Sequence, residues 1–203
     1  MQTQEAYFAA HPGHRWMEPA FALAAAAAAH GGLLAVEGRC ASGKSTLGRA
    51  LGEVFGCPVF RLDDFFLTPD LRTPERYAQP GGNVDYERFA REVAQPFLAG
   101  ESVQLRAFDC HEMAMKPAVT VPAAPFAVAE GCYSMHPALR RYFAGALFLT
   151  HSPACQRARL LARGGEEMLA NFERRWIPLE ERYFAACRPQ DACALTLDTT
   201  DLF

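Results

Sequence analysis

The apolar positions of this 203-residue chain fall into short, nearly continuous runs. Leu33-Leu34-Ala35-Val36, Pro58 to Leu62, Pro125-Phe126-Ala127-Val128-Ala129, Ala146 to Leu149 and Ala194 to Leu197 read as strands, and runs without a polar side suit strands covered on both faces. Between them the spacing turns helical. Pro19 to Ala29 is an alanine-rich stretch halted by His30-Gly31-Gly32, and Thr46 to Phe55 follows a glycine-rich turn. Asp85 to Leu98 carries Phe89, Val93 and Phe97 at helical intervals, and Pro137 to Phe143, Cys155 to Ala170 and Phe172 to Ala186 read as further helices. Alanine leads in helix propensity and glycine stops helices. Residues 1 to about 15 read as loosely tied, and Thr68 to Asn83, rich in proline, glycine and charge, as a long excursion loop. Gln104 to Phe108 and Ala118 to Val121 are weaker strand candidates. Strands alternating with helices predict βαβ units in one α/β domain: three layers, a mostly parallel five-stranded sheet and helices on both faces.

Composition narrows the partners. Half the residues are hydrophobic, 21% are charged and the formal net charge is −3, so no global basic field invites nucleic acid or an anionic membrane. An anion must be held by a local site. The apolar run from Ala20 to Ala29 is far short of the ~20 residues that span a bilayer, and it lacks the basic flank of a secretory signal. The seven cysteines include no CxxC pair and read as thiols of a reducing compartment. A cytoplasmic protein, with no nucleic acid or membrane partner and with homo-oligomerisation left open, is the expectation.

The strongest local signal is Gly38-Arg39-Cys40-Ala41-Ser42-Gly43-Lys44-Ser45, followed by Thr46, a full match to GxxxxGK[ST]. Average residue usage gives a chance match in about one chain of this length in a hundred. This one also lies between a buried-type strand and a helix. Glycines let backbone N–H groups approach phosphate oxygens, and the following helix turns its positive end to them. Lys44 then bridges the β- and γ-phosphates, and Ser45 offers its hydroxyl to Mg²⁺. Lys44 and Lys116 are the only lysines in an otherwise arginine-based chain.

A phosphate loop needs carboxylates at neighbouring strand ends. Glu130-Gly131 closes the Phe126 strand, and Asp63-Asp64 closes the second strand. Glu130 and Asp64 are thus candidate Mg²⁺ partners beside Ser45. A carboxylate of the Asp63-Asp64 pair is a candidate base for an attacking hydroxyl. Arg159 and Arg163, four apart on a predicted helix, share one face; a lid arginine there would neutralise charge on a transferred phosphoryl group.

The ordered set Gly38 to Thr46, Leu62-Asp63-Asp64-Phe65-Phe66, Asn83-Val84-Asp85 and Glu130-Gly131 resembles the motifs of the uridine kinase and nicotinamide riboside kinase group, across Leu33 to about Tyr183. The resemblance implies a P-loop NTPase fold with a small lid at 156–175, an N-terminal extension at 1–32 and an acceptor-binding insert at 65–122. It implies Asp63 as base, Asp85 as a grip on sugar hydroxyls, Glu130 near Mg²⁺, and Phe66, Phe108 and His111 in the acceptor pocket. The family's RD…RGR lid pattern is not reproduced, since Arg163 is followed by Gly164-Gly165-Glu166-Glu167, and Trp176-Ile177-Pro178-Leu179-Glu180 points to a subgroup.

The expected activity is transfer of the ATP γ-phosphoryl group, with Mg²⁺, to a hydroxyl of a small molecule, in the first place the 5′-OH of a nucleoside-like acceptor. The alternatives are another small alcohol, of pantothenate or sugar phosphate type, or an ATPase switch. With lysine only at 44 and 116, the [N/T]KxD motif that reads guanine is absent.

Overall fold

In the computed structural model, which describes residues 3–202, the five apolar runs assemble into one sheet. The strands are β1 (Gly32–Gly38), β2 (Val59–Arg61), the short β3 (Val103–Leu105), β4 (Phe108–Asp109), β5 (Ala114–Met115) and β6 (Val119–Val121), then β7 (Phe126–Glu130), β8 (Phe143–Thr150) and β9 (Leu195–Asp198). The central sheet runs β2-β7-β1-β8-β9, and every neighbouring pair is parallel. The other four strands lie outside it as two antiparallel pairs, β3 with β6 and β4 with β5.

The helices are α1 (Gln4–Ala10), α2 (Glu18–His30), α3 (Lys44–Phe55), α4 (Pro74–Ala78), α5 (Tyr86–Phe89), α6 (Gln95–Leu98), α7 (Pro153–Asn171) and α8 (Ile177–Cys187). A π segment, Ala90–Ala94, joins α5 to α6, and another, Phe172–Trp176, joins α7 to α8.

Strand alternation sorts the core into two layers. Leu34, Val36, Phe126, Val128, Leu147 and Leu149 face one side, where Ala20, Phe21 and Ala24 of α2 and Leu47, Ala50 and Leu51 of α3 cover them. Leu33, Ala127 and Ala129 face the other, against Phe89 and Val93 of the α5–α6 rod and Tyr183 of α8. The alanines of α2 are small enough to bring the helix close to the sheet. Gly31 ends α2 at φ 77°, and a Cβ there would lie 2.9 Å from Pro125 O.

Three sequence expectations change. The segment up to residue 15 is not loose where it is described: α1 is capped by Thr3, and its Tyr7 and Phe8 are buried against Phe21. Burial of those two rings, invisible in a local reading, ties the segment down. The loop at 68–83 contains α4, capped by the Thr73 hydroxyl. The expected helix at 137–143 is only a turn and a short 3₁₀ segment, Arg140–Tyr142, because Phe143 already extends into β8. Among the described residues, no helix is long and apolar enough to cross a membrane, and the seven cysteines are free thiols.

Candidate active site

The phosphate loop leaves the carboxyl end of β1, at the centre of the sheet, and enters α3. Its path demands special backbone. Gly38 has φ 144°, and a Cβ there would fall 2.1 Å from Leu149 O of β8. Ala41 and Gly43 also have positive φ, 62° and 96°. The successive turns hold amides around a concavity, the geometry of an anion nest. Ser42 is fully buried, and its Oγ finds no partner among the described residues. That orphaned hydroxyl beside the nest fits a polyanionic ligand.

The loop is braced from outside. Lys44 Nζ donates to Arg39 O at 2.7 Å across the loop, and Gln156 Nε2 donates to Cys40 O at 3.3 Å. His151 Nε2 lies 2.8 Å from the same oxygen. Arg159, expected in the lid, instead donates to Ala41 O (3.1 Å), to Thr199 Oγ1 (2.9 Å) and to Thr199 O. It lines the cleft but props the loop against the segment after β9. Arg163, one turn further along α7, is exposed and lines the cleft. Directly after it, Gly164 and Gly165 leave helical geometry, so α7 kinks there.

Glu130 ends β7 next to β1 and is 4% exposed. Burial raises its pKa, opposed by Lys44 and by a hydrogen bond with Ser45. Gly48 of α3 makes room for it: a Cβ there would sit 3.2 Å from Glu130 Cγ. Gly131, at φ 143°, lets the chain turn under Leu62, whose Cβ would lie 2.7 Å from an added one. Asp63 follows β2 with a half-exposed side chain. Arg61, which the sequence reading passed over, lies between the two acids, 3.5 Å from Glu130 and 3.8 Å from Asp63. Burial alone would lower the pKa of Lys44, but Cys132, Glu180, Glu130 and Asp63 around it outweigh burial, and its pKa is raised.

These groups line one cleft of about 1120 Å³. Cys40 to Thr46, with Glu180 against Cys40, form its floor, and Asp63 and Glu130 its acidic wall. Phe66 and His111 line it too, and Phe66 packs on Trp176 with ring centroids 5.3 Å apart.

Gly38 and Arg39 lie outside the lining; the Arg39 side chain turns to Glu181 and lies over the Phe184 ring at 5.0 Å. Asp64, Asp85 and Phe108 also stand outside it. Asp64 is half-buried, and burial raises its pKa. Asp85 caps α5, accepting from Arg88 N at 2.9 Å and pairing with Arg88 Nε at 3.6 Å. Phe108 is buried beneath the Arg72 guanidinium, 5.5 Å from its ring.

Two buried acids were not singled out from the sequence. Glu37, inside β1, accepts from Gly38 N (2.8 Å), Tyr133 N (3.1 Å), Met135 N (2.8 Å) and Tyr183 Oη (2.9 Å). It joins the phosphate loop, the turn after Glu130 and α8, and burial pushes its pKa up to about 7. A glutamate within an otherwise apolar strand was the available signal. Glu180 of α8 accepts from Cys40 N at 3.0 Å.

Serine hydroxyl and carboxylate oxygens are hard donors that suit Mg²⁺, which usually takes one or two carboxylates and completes its shell with water and substrate phosphates. Ser45 and Glu130 fit that pattern. Among the described residues no group of three or more His, Cys, Asp or Glu could hold a metal by itself.

An all-parallel β2-β7-β1-β8-β9 sheet with a phosphate loop on its central strand defines a P-loop kinase fold. Solved structures that share it include two described as kinases. A possible uridine kinase from Bacillus stearothermophilus is 18% identical, with a TM-score of 0.63, covering 82% of this chain and 88% of that one. A candidate fructose transport system kinase from Silicibacter sp. TM1040 is 23% identical, with a TM-score of 0.57, covering 82% and 89%. No protein-family model and no curated protein sequence matches the chain.

Proposed function

We propose that the protein is an ATP-dependent kinase that phosphorylates a hydroxyl of a small, nucleoside-like molecule. The observation that carries this reading is the convergence of Lys44, Ser45, Glu130 and Asp63 on one cleft that also contains the Phe66–Trp176 pair. Both fold relatives are described as kinases, of uridine and of a fructose transport system; both names belong to the acceptor class of small hydroxylated molecules.

In this reading the loop amides and Lys44 bind the β- and γ-phosphates and stabilise charge on the transferred group. Ser45 and Glu130 hold Mg²⁺, which neutralises phosphate oxygens. Asp63, oriented by Arg61 and open to the cleft, accepts the acceptor's hydroxyl proton as its oxygen attacks the γ-phosphorus. Arg163 closes on the phosphates when α7 bends at Gly164-Gly165. Phe66 and Trp176 take a flat ring against their faces, which favours a nucleoside over an acyclic alcohol.

The test is a panel of nucleosides, sugars, sugar phosphates and pantothenate with Mg·ATP, read as phosphorylated product by mass spectrometry, with Asp63→Asn alongside. A nucleoside monophosphate that the variant no longer makes is the expected result. Product from a non-aromatic alcohol alone would overturn the nucleoside assignment, and hydrolysis independent of every acceptor would overturn the kinase.

A further inference from the structure

Beside Glu130 and Asp63, two further carboxylates act on Lys44, Glu37 and Glu180, and Glu180 is the one that lines the cleft without a use in the proposed reaction. Its carboxylate lies at the floor of the cleft, 5% exposed, accepting from Cys40 N at 3.0 Å. The groups facing it are Lys44 at the start of α3, Cys40 of the loop, Asp63 after β2, and Cys132 and Tyr133 after β7. Of these Lys44 is the one cation, and the bound phosphates need that same cation.

Anchoring α8 does not require an acid at this position. Glu181 pairs with Arg39, Phe184 packs under the Arg39 guanidinium, and Tyr183 Oη donates to Glu37. Three contacts already hold α8 to the loop's entry. A fourth, made by burying a charge at the floor of the cleft, costs desolvation that an uncharged residue would avoid.

We propose that Glu180 competes with the nucleotide's terminal phosphate for Lys44, so that triphosphate binding is coupled to proton uptake by Glu180. The inference rests on the kinase reading for the placing of the γ-phosphate. The proton comes from solvent and adds to a Glu180 oxygen; the carboxylic acid still accepts from Cys40 N through its carbonyl oxygen. Burial already raises the pKa of Glu180, opposed by Lys44, and an added anion beside it raises it further. Mg·ATP affinity therefore falls as pH rises past the raised pKa, and the neutral variant escapes that fall. The terminal phosphate is the competing group, so ADP feels the effect far less. Glu180 thus lets the site release diphosphate and triphosphate on different terms.

The experiment is calorimetric titration of the full chain with a non-hydrolysable Mg·ATP analogue and with Mg·ADP, for wild type, Glu180→Gln and Glu181→Gln, in steps from pH 5 to pH 8. At pH 8, Glu180→Gln is expected to bind the analogue about tenfold more tightly, for one like charge removed at short range, and ADP within about twofold. The gap narrows as pH falls through the raised pKa of Glu180, and Glu181→Gln behaves as wild type. Titrated in two buffers of different ionisation heat, wild type should take up more protons with the analogue than Glu180→Gln or a second variant, Glu180→Ala, and no more than either with ADP; Glu37, whose pKa is pushed up to about 7 beside the same lysine, contributes alike to all three. Equal weakening of both nucleotides by Glu180→Gln, or no excess proton uptake by wild type over the Glu180 variants, overturns the proposal while the kinase reading survives. Binding of neither nucleotide to wild type overturns both.

Discussion

Glu37 offers the sharpest quantitative test, since it is fully buried and meets four donors. Burial lifts its pKa from 4.5 to about 7. At about 1.4 kcal/mol per pH unit, that rise corresponds to roughly 3 kcal/mol. Between pH 4.5 and about 7 the folded chain holds more of this proton than the unfolded chain does, so the contribution of Glu37 to stability declines as pH rises through that window. It is flat below the window and flat above it. Glu37→Gln removes the titration. The amide oxygen can serve one pair of donors, and Tyr183 Oη can turn to accept from the amide nitrogen. The Met135 N–H, which shares that position with Tyr183, is then left facing an N–H donor, a loss of about 1–3 kcal/mol at every pH. Wild type should therefore exceed the variant by about that amount at pH 4.5. By pH 8 the roughly 3 kcal/mol cost of the buried charge offsets the advantage, and the two should be near parity or reversed. Urea unfolding of both chains at half-unit steps from pH 4.5 to 8 reads the difference directly. A wild-type-minus-variant difference that stays constant with pH would refute the reasoning: Glu37 would then stay in one protonation state throughout, and its four donors would carry its whole effect.

Lys44→Ala should lower nucleotide affinity about a hundredfold or more, because the charge it removes serves the ligand, and should also lower the thermal midpoint, because Glu180 and Glu130 lose the buried cation beside them; equal ATP binding by fluorescence titration would contradict the phosphate-loop reading. Gly131→Ala should cost about 1–3 kcal/mol by denaturant unfolding, from positive φ and the clash with Leu62, and an unchanged midpoint would mean that β2 and the Glu130 turn are not locked together. Asp85→Ala should lose about 1 kcal/mol of stability through the α5 cap, whereas Asp85→Asn keeps the cap and should leave acceptor KM untouched. A tenfold rise in KM for Asp85→Asn would show instead that this side chain reaches the acceptor, as the family resemblance implies.

Much of the architecture was legible in the chain itself. Five short apolar runs became the five parallel strands, because a strand covered on both faces carries its signal in every residue. The Gly38 to Ser45 motif was legible for a related reason: a nest of amides needs particular residues at particular spacings, so its chemistry is written contiguously. Glu130 and Asp63 could be placed at strand ends, and strand ends of a parallel sheet share one edge.

What only the tertiary structure decided are the relations between residues far apart in sequence. It sent Arg159 to Ala41 and Thr199, set Arg61 between Asp63 and Glu130, and turned Asp85 to its own helix. It packed Trp176 on Phe66 and brought Glu180 to Cys40, across 140 residues of sequence. A side chain's residue type and local spacing do not record which distant group it will meet. That is settled by how helices seat on the sheet, where volume and burial govern, and a carboxylate at the surface and one at the floor of a cleft are written with the same letter.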